Sequence, residues 1–349
     1  MGRFLTTVVA FALTAGAAVA GGVERSTQSV AILFEDGAYA EVNLGYFAPE
    51  LSGTLGVSSG DMAPGYTTLS FGYKQPLNDM IDLAIIVDQP IGADVNYPLG
   101  TGYPLQGTTA TLESYAVTGL LRYKLPSNFS VFGGLRAEQV RGVVSIPFVG
   151  SYTLVTNRDV EYGYVVGAAW EKPEIAARVA LTYNSAITHT LSSTEFGAPT
   201  GSFQTEIPQS LNLEFQTGIA ADTLLFGSIR WVEWSAFAID PPAYPPATPL
   251  VSYQSDRITY NLGLGRRFND TWSGAVILAH EPSNGDLTGN LGPTDGFSSI
   301  ALAATYTMGN LKITGGIRYV DIGGATTNIG AQFADNTGIG VGLRIGYSF

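Results

Sequence analysis

Few side chains in this sequence of 349 residues have a type and spacing that could perform chemistry. The stretch 56–60 (GVSSG) matches the G-x-S-x-G pattern of a serine nucleophile, but that pattern needs a strand–turn–helix context and this stretch is expected in an outer loop. The two histidines, His189 and His280, have no second ligand at metal spacing, and cysteine is absent. We therefore expect no catalytic residue, no metal site, no cofactor and no enzymatic activity, with a Ser–His lipase as the enzymatic alternative.

Charged side chains placed among apolar ones form a second group of candidates. A guanidinium group offers a planar fork to a carboxylate, so Arg122, Arg136 and Arg230 are candidate substrate-binding residues. The alternative is that such charges only pair with one another. Alternation places the whole group on one face of its strands: Asp88, Glu113, Arg122, Arg136, Glu138, Arg178, Glu214, Arg230, Arg318 and Arg344.

The composition excludes several classes of protein. Lys and Arg number 17 against 29 Asp and Glu, giving a net charge of −12, whereas a duplex-binding protein needs a cationic surplus. Hydrophobic residues make up 45% of the chain, which argues against disorder. Charged residues make up only 13%, about half the usual share of a soluble domain. A surface with so few charges indicates contact with something other than water.

The first twenty residues predict an export signal. Arg3 precedes a short apolar run, and Ala18-Val19-Ala20 fits the small-x-small pattern of a cleavage site. We therefore assign residues 1–20 to a signal peptide. No later apolar run approaches the roughly 18 residues that a membrane helix needs. If the mature chain lies in a membrane, it must cross it as a β-barrel.

Beyond the signal peptide, the dominant hydrophobic period is two. In one segment Tyr115, Val117, Leu121 and Tyr123 share every second position with Gly119, and aromatic residues bracket the row. Eight residues at about 3.3 Å each, tilted by about 40°, span roughly 20 Å, close to the lipid band of a membrane barrel. A soluble β-sandwich also alternates, but its outer face would carry many more charges. We predict an all-β fold, a transmembrane antiparallel β-barrel.

The connections alternate between short and long. Six short turns and seven long links join about fourteen strands, which is typical of barrels in the bacterial outer membrane, with short periplasmic turns and long outer loops. Three of the long links are predicted at 89–111, 142–157 and 187–206. The sequence ends in Tyr-Ser-Phe349, as such barrels characteristically do, so the barrel assembly machinery is an expected partner. We predict a multi-pass protein of the bacterial outer membrane.

Several segments resemble the FadL family of outer-membrane transporters for hydrophobic molecules. They are 22–53 (GVERSTQSVAILFEDGAYAEVNLGYFAPELSG), 88–93 (DQPIGA), 208–213 (PQSLNL), 230–235 (RWVEWS) and the final Tyr-Ser-Phe. The resemblance implies fourteen strands (37–349) around an N-terminal plug (21–36).

The same resemblance implies a strand kink at Asp88, Pro90 and Gly92, through which substrates leave sideways into the membrane. Proline cannot donate to a β-ladder, which fits an interruption there. One departure is the absence of the Asn-Pro-Ala motif that family members carry in a longer plug.

The outer loops are unusually apolar. We name Phe148, Val149, Leu154, Phe237 and Ile239 as candidate substrate-binding residues, because apolar side chains on long solvent-facing loops mark binding surfaces. The alternative is that they pack together as a cap. The expected function is passive uptake of hydrophobic molecules, long-chain fatty acids first, with outer-membrane lipid and lipopolysaccharide as surroundings and no nucleic-acid partner. A general aqueous porin or a structural barrel is the alternative.

Overall fold

The computed structural model describes residues 22–246 and 248–349. The predicted signal peptide lies outside these residues, as does Gly21, the first residue of the predicted plug. The described part of the chain contains 25 β-strands and three short 3₁₀ helices, Ala31–Phe34, Pro173–Ile175 and Trp234–Ala236. Among the described residues, no helix has the length and apolar character required to span a membrane.

The strands are numbered in chain order. They are β1 (Tyr39–Glu50), β2 (Gly53–Leu55), β3 (Val57–Ser58), β4 (Tyr66–Pro76), β5 (Ile81–Asp88), β6 (Gly92–Asn96), β7 (Thr109–Lys124), β8 (Phe129–Ile146), β9 (Tyr152–Thr156), β10 (Asp159–Lys172), β11 (Ala177–Asn184), β12 (Ile187–Glu195), β13 (Ala198–Ile207), β14 (Ser210–Ala220), β15 (Thr223–Val232), β16 (Ala238–Ile239), β17 (Val251–Ser252), β18 (Arg257–Arg267), β19 (Trp272–Glu281), β20 (Leu287–Thr288), β21 (Phe297–Met308), β22 (Leu311–Ile322), β23 (Ala325–Thr327), β24 (Gln332–Phe333) and β25 (Asn336–Ser348).

Fourteen strands pair in a closed antiparallel ring. The order is β1, β4, β5, β7, β8, β10, β11, β14, β15, β18, β19, β21, β22, β25, and β25 pairs again with β1. The predicted barrel and its fourteen strands are therefore confirmed. Strands β6, β12 and β13 prolong β5, β11 and β14 beyond short interruptions, so one side of the barrel stands taller on the long-loop side.

The outer surface of the ring is apolar, as the alternation predicts. On β7, Tyr115, Val117, Leu121 and Tyr123 are exposed, whereas the intervening side chains, including Arg122, are buried. Exposed aromatic residues form two girdles. The girdle toward the long loops includes Tyr46, Tyr115, Tyr162, Tyr260 and Tyr319, and the girdle toward the short turns includes Tyr123, Phe129, Trp272, Tyr347 and Phe349. An exposed apolar band between two aromatic girdles is the surface that a lipid bilayer requires.

Three of the predicted long links are wrong, because they contain strands of the barrel sheet; the link predicted at 89–111 contains β6. The link predicted at 142–157 contains the end of β8 and all of β9, and the link predicted at 187–206 is the hairpin of β12 and β13. The outward residues of β12, Thr188, Thr190 and Ser192, are polar. Strands that project beyond the lipid face water on their outer side, so they lose the apolar alternation by which a membrane strand is recognised.

The residues before the barrel, 22–38, run through the lumen and are called the N-terminal segment. Its Ile32 and Leu33 pack against Leu120 and Phe132, which point inward from β7 and β8. The ring of Phe34 lies 4.5 Å from the guanidinium carbons of both Arg122 and Arg178. The segment is thus bound to the strands by apolar packing and cation–π contacts.

The long links close the outer end of the barrel. Buried side chains from several loops and strand ends form one apolar cluster that includes Phe47, Met62, Tyr97, Tyr103 and Phe333. The rings of Tyr97 and Tyr103 stack with centroids 5.5 Å apart, and the Tyr97 hydroxyl donates to the Asn290 carbonyl at 2.6 Å. Many of the apolar loop residues therefore pack on one another, as the cap alternative supposes.

Candidate functional site

A largely apolar cavity lies between the outer loops and the N-terminal segment, with the Arg25–Asp94 ion pair at the edge of its larger part. It has two adjoining parts, of about 80 and 50 Å³. Both parts are bounded by Val23, Ala93, Val95, Tyr253 and Leu291. The rest of the smaller part is formed by Ala110, Thr111, Leu112, Gly142, Val144, Leu154, Thr156, Leu191, Phe203, Ile239, Leu250 and Val251, so no charged side chain of the described residues lines it. We call the two parts together the apolar pocket.

The walls of the apolar pocket are strands and its other boundaries are loops. Strands β6 to β9 contribute side chains that point toward the lumen. On β8, Val144 points inward because its neighbour Val143 points outward, and the same alternation turns Ala110 of β7 and Leu154 of β9 inward. Val23 of the N-terminal segment also lines it. The pocket therefore depends on parts of the chain far apart in sequence.

Tyr253 connects the two parts of the apolar pocket. Its ring contacts Trp234 and Phe237, with centroids 5.4 and 5.7 Å away. Burial raises the pKa of the Tyr253 hydroxyl above its usual range, and Arg257 opposes the shift only in part. The hydroxyl is therefore neutral at any physiological pH and places an uncharged polar group where the two parts of the pocket meet.

The barrel wall is incomplete beside this pocket. Strand β5 ends at Asp88 and β6 begins at Gly92, with Pro90 between them. The ladder between β4 and β5 begins only at Phe71, so the outer half of β4 has no strand partner on this side. The side chain of Gln89 accepts a hydrogen bond from the Leu69 amide at 3.2 Å, in place of the missing ladder.

The N-terminal segment fills this interruption from inside. Glu24 forms an isolated β-bridge with Ile91, and the Arg25 guanidinium donates to Asp94 of β6 at 2.6 Å. The guanidinium also lies 3.8 Å from the centre of the Tyr66 ring on β4. Arg25 and Tyr66 both line the larger part of the apolar pocket, together with Gly92. Arg25 therefore separates the pocket from the gap in the wall.

A second cavity, of about 140 Å³, lies between the N-terminal segment and strands β11 to β22. We call it the polar chamber. Its charged lining comprises Glu24, Arg25, Arg178, Glu214, Arg230 and Arg318. Arg178 Nε, Glu214 Oε2 and Gln216 Oε1 are buried without a hydrogen-bond partner among the described residues. Buried polar atoms in such a position are normally satisfied by water, so we infer that the chamber is hydrated.

The predicted loop residues lie at different depths. Leu154 and Ile239 line the apolar pocket. Phe237 is buried behind it against Trp234, and Val149 packs against the cluster under the loops. Phe148 is 66% exposed at a loop tip. Their roles in binding remain predictions, and only Leu154 and Ile239 face the cavity itself.

The predicted arginines lie lower, in the lumen. Arg122 forms ion pairs with Asp82 and Glu171, and Arg136 Nε donates to the Thr118 hydroxyl at 2.9 Å. Arg230 pairs with Glu24 of the N-terminal segment and lines the polar chamber. None of the three lines the apolar pocket. Their contacts match the charge-pairing alternative, and substrate binding by them remains a prediction.

The other candidate groups are scattered. Glu138 points inward and is fully buried, but Glu113 is exposed on the same face as Tyr115, so its predicted inward orientation is wrong. His189 contacts Asp159, and His280 contacts Ser298 on the outer surface. The Ser58 hydroxyl accepts a hydrogen bond from the Gly60 amide. Within residues 22–246 and 248–349, no group of three or more acidic or histidine side chains could hold a metal ion.

The sequence analysis missed the residues that shape the pocket most directly. Val23, Tyr253 and Leu291 come from three separate irregular stretches, and no spacing rule links them. The sequence did contain information that could have identified Arg25 as part of the site. An arginine in a segment predicted to lie inside a barrel must find a carboxylate there. Asp94 supplies that carboxylate near the start of the long link predicted at 89–111.

Comparisons with known proteins agree with this architecture. No family model matches the chain, and no curated protein is detectably similar to it in sequence. Solved structures do match. A Pseudomonas aeruginosa FadL homologue superposes with a TM-score of 0.76 at 16% identity, covering 96% of each chain. The Pseudomonas putida toluene transporter TodX gives 0.67 at 12% identity, covering 96% of this chain and all of TodX. The Ralstonia pickettii toluene transporter TbuX gives 0.62 at 12% identity over 90% of each chain.

The closed ring, its apolar belt and its occupied lumen define a multi-pass β-barrel of the outer-membrane class. Within that class the chain has the FadL fold, as the resemblance predicted. The neighbouring structures are those of transporters and channels for hydrophobic molecules.

Proposed function

We propose that the protein admits small, uncharged hydrophobic molecules through the outer membrane by passive uptake. The observation that carries the proposal is the apolar pocket beneath the outer loops. Water in a cavity with few polar partners is weakly held, so an apolar solute that displaces it is favoured by about 25 cal/mol for each Å² of apolar surface that it buries. A polar or charged solute would lose hydrogen bonds to water on entering the smaller part of the pocket, where no charged side chain of the described residues replaces them.

The size of the pocket supports a compact substrate. An apolar cavity of roughly 150 Å³ accepts a benzene molecule, and the two parts of the pocket are each smaller than this. A single-ring or short-chain compound therefore needs the least displacement of the lining. Toluene, which TodX and TbuX transport, is such a compound. A long-chain fatty acid, the first candidate from the sequence, would need the two parts to merge and extend.

The position of the pocket supports a lateral exit. The polar chamber on the other side of the N-terminal segment carries six charged side chains, and an apolar solute would have to desolvate them to descend through the lumen. The gap at 89–91 opens instead toward the lipid, with Arg25 between the gap and the pocket. We infer that a substrate leaves there after Arg25 moves. The resemblance to the FadL family implies the same route.

Uptake by intact cells tests this function. A strain that lacks outer-membrane hydrocarbon transporters would express the full chain and receive labelled toluene, octane or oleate. We expect toluene to accumulate several times faster than in cells that express a barrel of similar size without an apolar pocket. Equal rates would contradict the proposal, and faster uptake of oleate alone would restore the fatty-acid prediction.

The porin alternative is tested with the purified protein. An aqueous porin gives a large and stable ion current in a planar bilayer, whereas a lumen occupied by the N-terminal segment gives only a small one. A large current from the wild-type chain would favour the porin.

Mass spectrometry of lipid and hydrocarbon that co-purify with the detergent-extracted protein would identify the class of ligand. Recognition of Phe349 by the assembly machinery remains a prediction from the sequence.

A further inference from the structure

Cationic side chains are distributed unevenly over the described residues. Most lie inside the barrel, in buried ion pairs or at the short turns. Those in the lumen or at its lower end are Lys74, Arg122, Lys124, Arg136, Arg178, Arg230, Lys312, Arg318 and Arg344, and those at the short turns are Lys172, Arg266 and Arg267. Arg25 pairs with Asp94, and Arg257 pairs with the buried Asp295. Only Arg141 and Arg158 remain, within the part of the chain that the structure describes, on the outer surface toward the long loops.

These two arginines are neighbours. Arg141 lies on the outward face of β8, one outward position beyond Gln139, which is paired with Tyr115 of the aromatic girdle. The residue before β10 is Arg158, and the ladder of β10 with β8 begins at the pair Asp159–Val140. Arg158 is therefore adjacent to Arg141 across the strands. Both lie just beyond the girdle, at the level of lipid headgroups.

Neither guanidinium is neutralised by an ion pair or hydrogen bond with another described residue. Asp159 is next to Arg158 in sequence, but its carboxylate turns away to contact His189 and the Thr190 amide. Glu113 is the cross-strand neighbour of Arg141, and its carboxylate reduces the positive potential there without forming an ion pair. We call Arg141 and Arg158 the arginine patch.

The surroundings of the arginine patch differ from the rest of the rim. Elsewhere beyond the girdle the strand ends and loops carry carboxylates, among them Glu50 and Asp321. Next to the patch, the outward face of the β12–β13 hairpin carries mostly hydroxyl and amide groups, including Thr190 and Gln204, with Glu206 as its one carboxylate among the described residues. Arg141 and Arg158, the cations that the described residues place on the outward side of this rim, thus lie beside a surface rich in hydrogen-bonding groups.

We propose that the arginine patch binds the phosphate groups of a phosphorylated glycolipid of the outer leaflet, the lipid A part of lipopolysaccharide. Guanidinium groups bind phosphate oxygens through paired, charge-assisted hydrogen bonds. Two such groups side by side match an anionic headgroup at the lipid boundary, and the neighbouring hydroxyl groups match its sugar. The carboxylates on the remaining rim direct an anionic lipid to this arc. This inference concerns the membrane surface of the barrel and is independent of what the barrel transports.

Binding of lipid A to the folded full-length chain in detergent tests the proposal. We expect the double variant Arg141→Gln/Arg158→Gln to bind bisphosphorylated lipid A about tenfold more weakly than the wild type, because both charge-assisted contacts are lost. Glu113→Gln should bind it about threefold more tightly, since a repelling carboxylate is removed. Lys172→Gln/Arg266→Gln, which removes two exposed cations at the short turns, should bind as the wild type does.

Three results of the affinity measurements would overturn the proposal. These are unchanged affinity of the double variant, an equal loss in the short-turn control, and equal wild-type affinity for dephosphorylated lipid A. Inorganic phosphate added as a competitor separates the sources of the anion, and complete displacement at millimolar phosphate would contradict a lipid-specific site. Hydrocarbon uptake by the double variant should match the wild type, so failure of this inference is distinguishable from failure of the proposed transport.

Discussion

The apolar pocket and the polar chamber are separated only by the N-terminal segment, yet they differ in chemistry. The smaller part of the pocket has no charged lining residue, whereas the chamber is lined by six. Val23 faces the pocket, and Glu24 faces the chamber. Adjacent residues of an extended chain point in opposite directions, so one short stretch can supply an apolar surface to one cavity and an ion-pairing group to the other. The difference indicates separate occupants, an apolar solute in the pocket and water in the chamber.

The largest effect should come from a charge placed in the pocket. Ala110→Asp puts a carboxylate on β7 in the smaller part of the pocket, where no cation faces it. Burying even a neutral polar group without a hydrogen bond costs roughly 2–7 kcal/mol, and burying a carboxylate costs more. We expect hydrocarbon uptake to fall to the level of cells without the protein. The measurement is the initial rate of labelled toluene uptake, at equal amounts of heat-modifiable barrel in the outer membrane.

The matched control is Ala301→Asp in the polar chamber. Ala301 is also a buried alanine on a barrel strand, and its cross-strand neighbour is Arg318. A carboxylate there gains a nearby cation and water, so uptake should stay within about twofold of the wild type. Equal loss in both variants would mean that the two cavities do not differ in function.

The next largest effect concerns the ion pair that joins the N-terminal segment to the chamber wall. Arg230 Nε donates to Glu24 at 2.7 Å, and Arg230 also donates to Asn212 at 2.6 Å. Arg230→Gln leaves Glu24 buried without its partner, which costs about 3–5 kcal/mol for a buried pair. We expect the segment to detach and the ion current through single barrels in planar bilayers to rise about tenfold.

The double variant Glu24→Gln/Arg230→Gln sharpens this prediction. It removes both charges, and replacing a whole buried pair is far less costly than breaking it. Its current should return most of the way to that of the wild type. If Arg230→Gln and the double variant gave the same current, the ion pair would not hold the segment in place.

A smaller effect concerns the loop that carries Leu291 over the pocket. Asp295 accepts hydrogen bonds from Ser283, the amides of Asn284 and Gly285, and Arg257. Burial opposes its ionisation, but these hydrogen bonds outweigh burial and lower the pKa below its ordinary value of 3.8. A lowered pKa stabilises the folded loop at pH values above the unfolded pKa. That stability is lost as the pH falls below 3.8 toward the folded pKa.

At pH 7 we therefore expect Asp295→Asn to increase the rate of proteolytic cleavage within 282–296 by about tenfold or more, because a charge-assisted contact is worth roughly 1.5–3 kcal/mol. When cleavage is measured with an acid-stable protease, lowering the pH should increase the cleavage rate of the wild-type loop. It should change the cleavage rate of the Asp295→Asn loop little further. Asp335→Asn, at an exposed carboxylate in another long link, serves as the control. An unchanged rate in Asp295→Asn would show that this carboxylate does not hold the loop.

The sequence predicts the barrel well because lipid imposes one rule on every strand. Tyr115 to Tyr123 alternates as a membrane strand must, and the short turns interrupt each such row. The same rule misses β12 and β13, whose outward residues meet water. It also misses the pocket, because Val23, Tyr253 and Leu291 become neighbours only when the ring has closed. The pairing of Arg230 with Glu24 joins positions 206 residues apart, and no local pattern specifies such a contact.

The smallest expected effect tests whether the pocket sets the size of the substrate. Leu154 is almost fully buried and lines the smaller part of the pocket. Leu154→Ala enlarges the cavity, and each additional buried CH₂ of a ligand contributes about 0.8 kcal/mol, or about a fourfold change in binding. Since the wider pocket accepts a second ring, we expect the uptake of naphthalene relative to toluene to rise about threefold.

The control is Leu120→Ala, which removes an equally buried leucine that packs in the cluster with Leu33 of the N-terminal segment, away from the pocket. It should lose similar stability, about 2–5 kcal/mol, with no change in that ratio. A similar shift of the ratio in both variants would assign size selection to the general stability of the barrel rather than to the pocket.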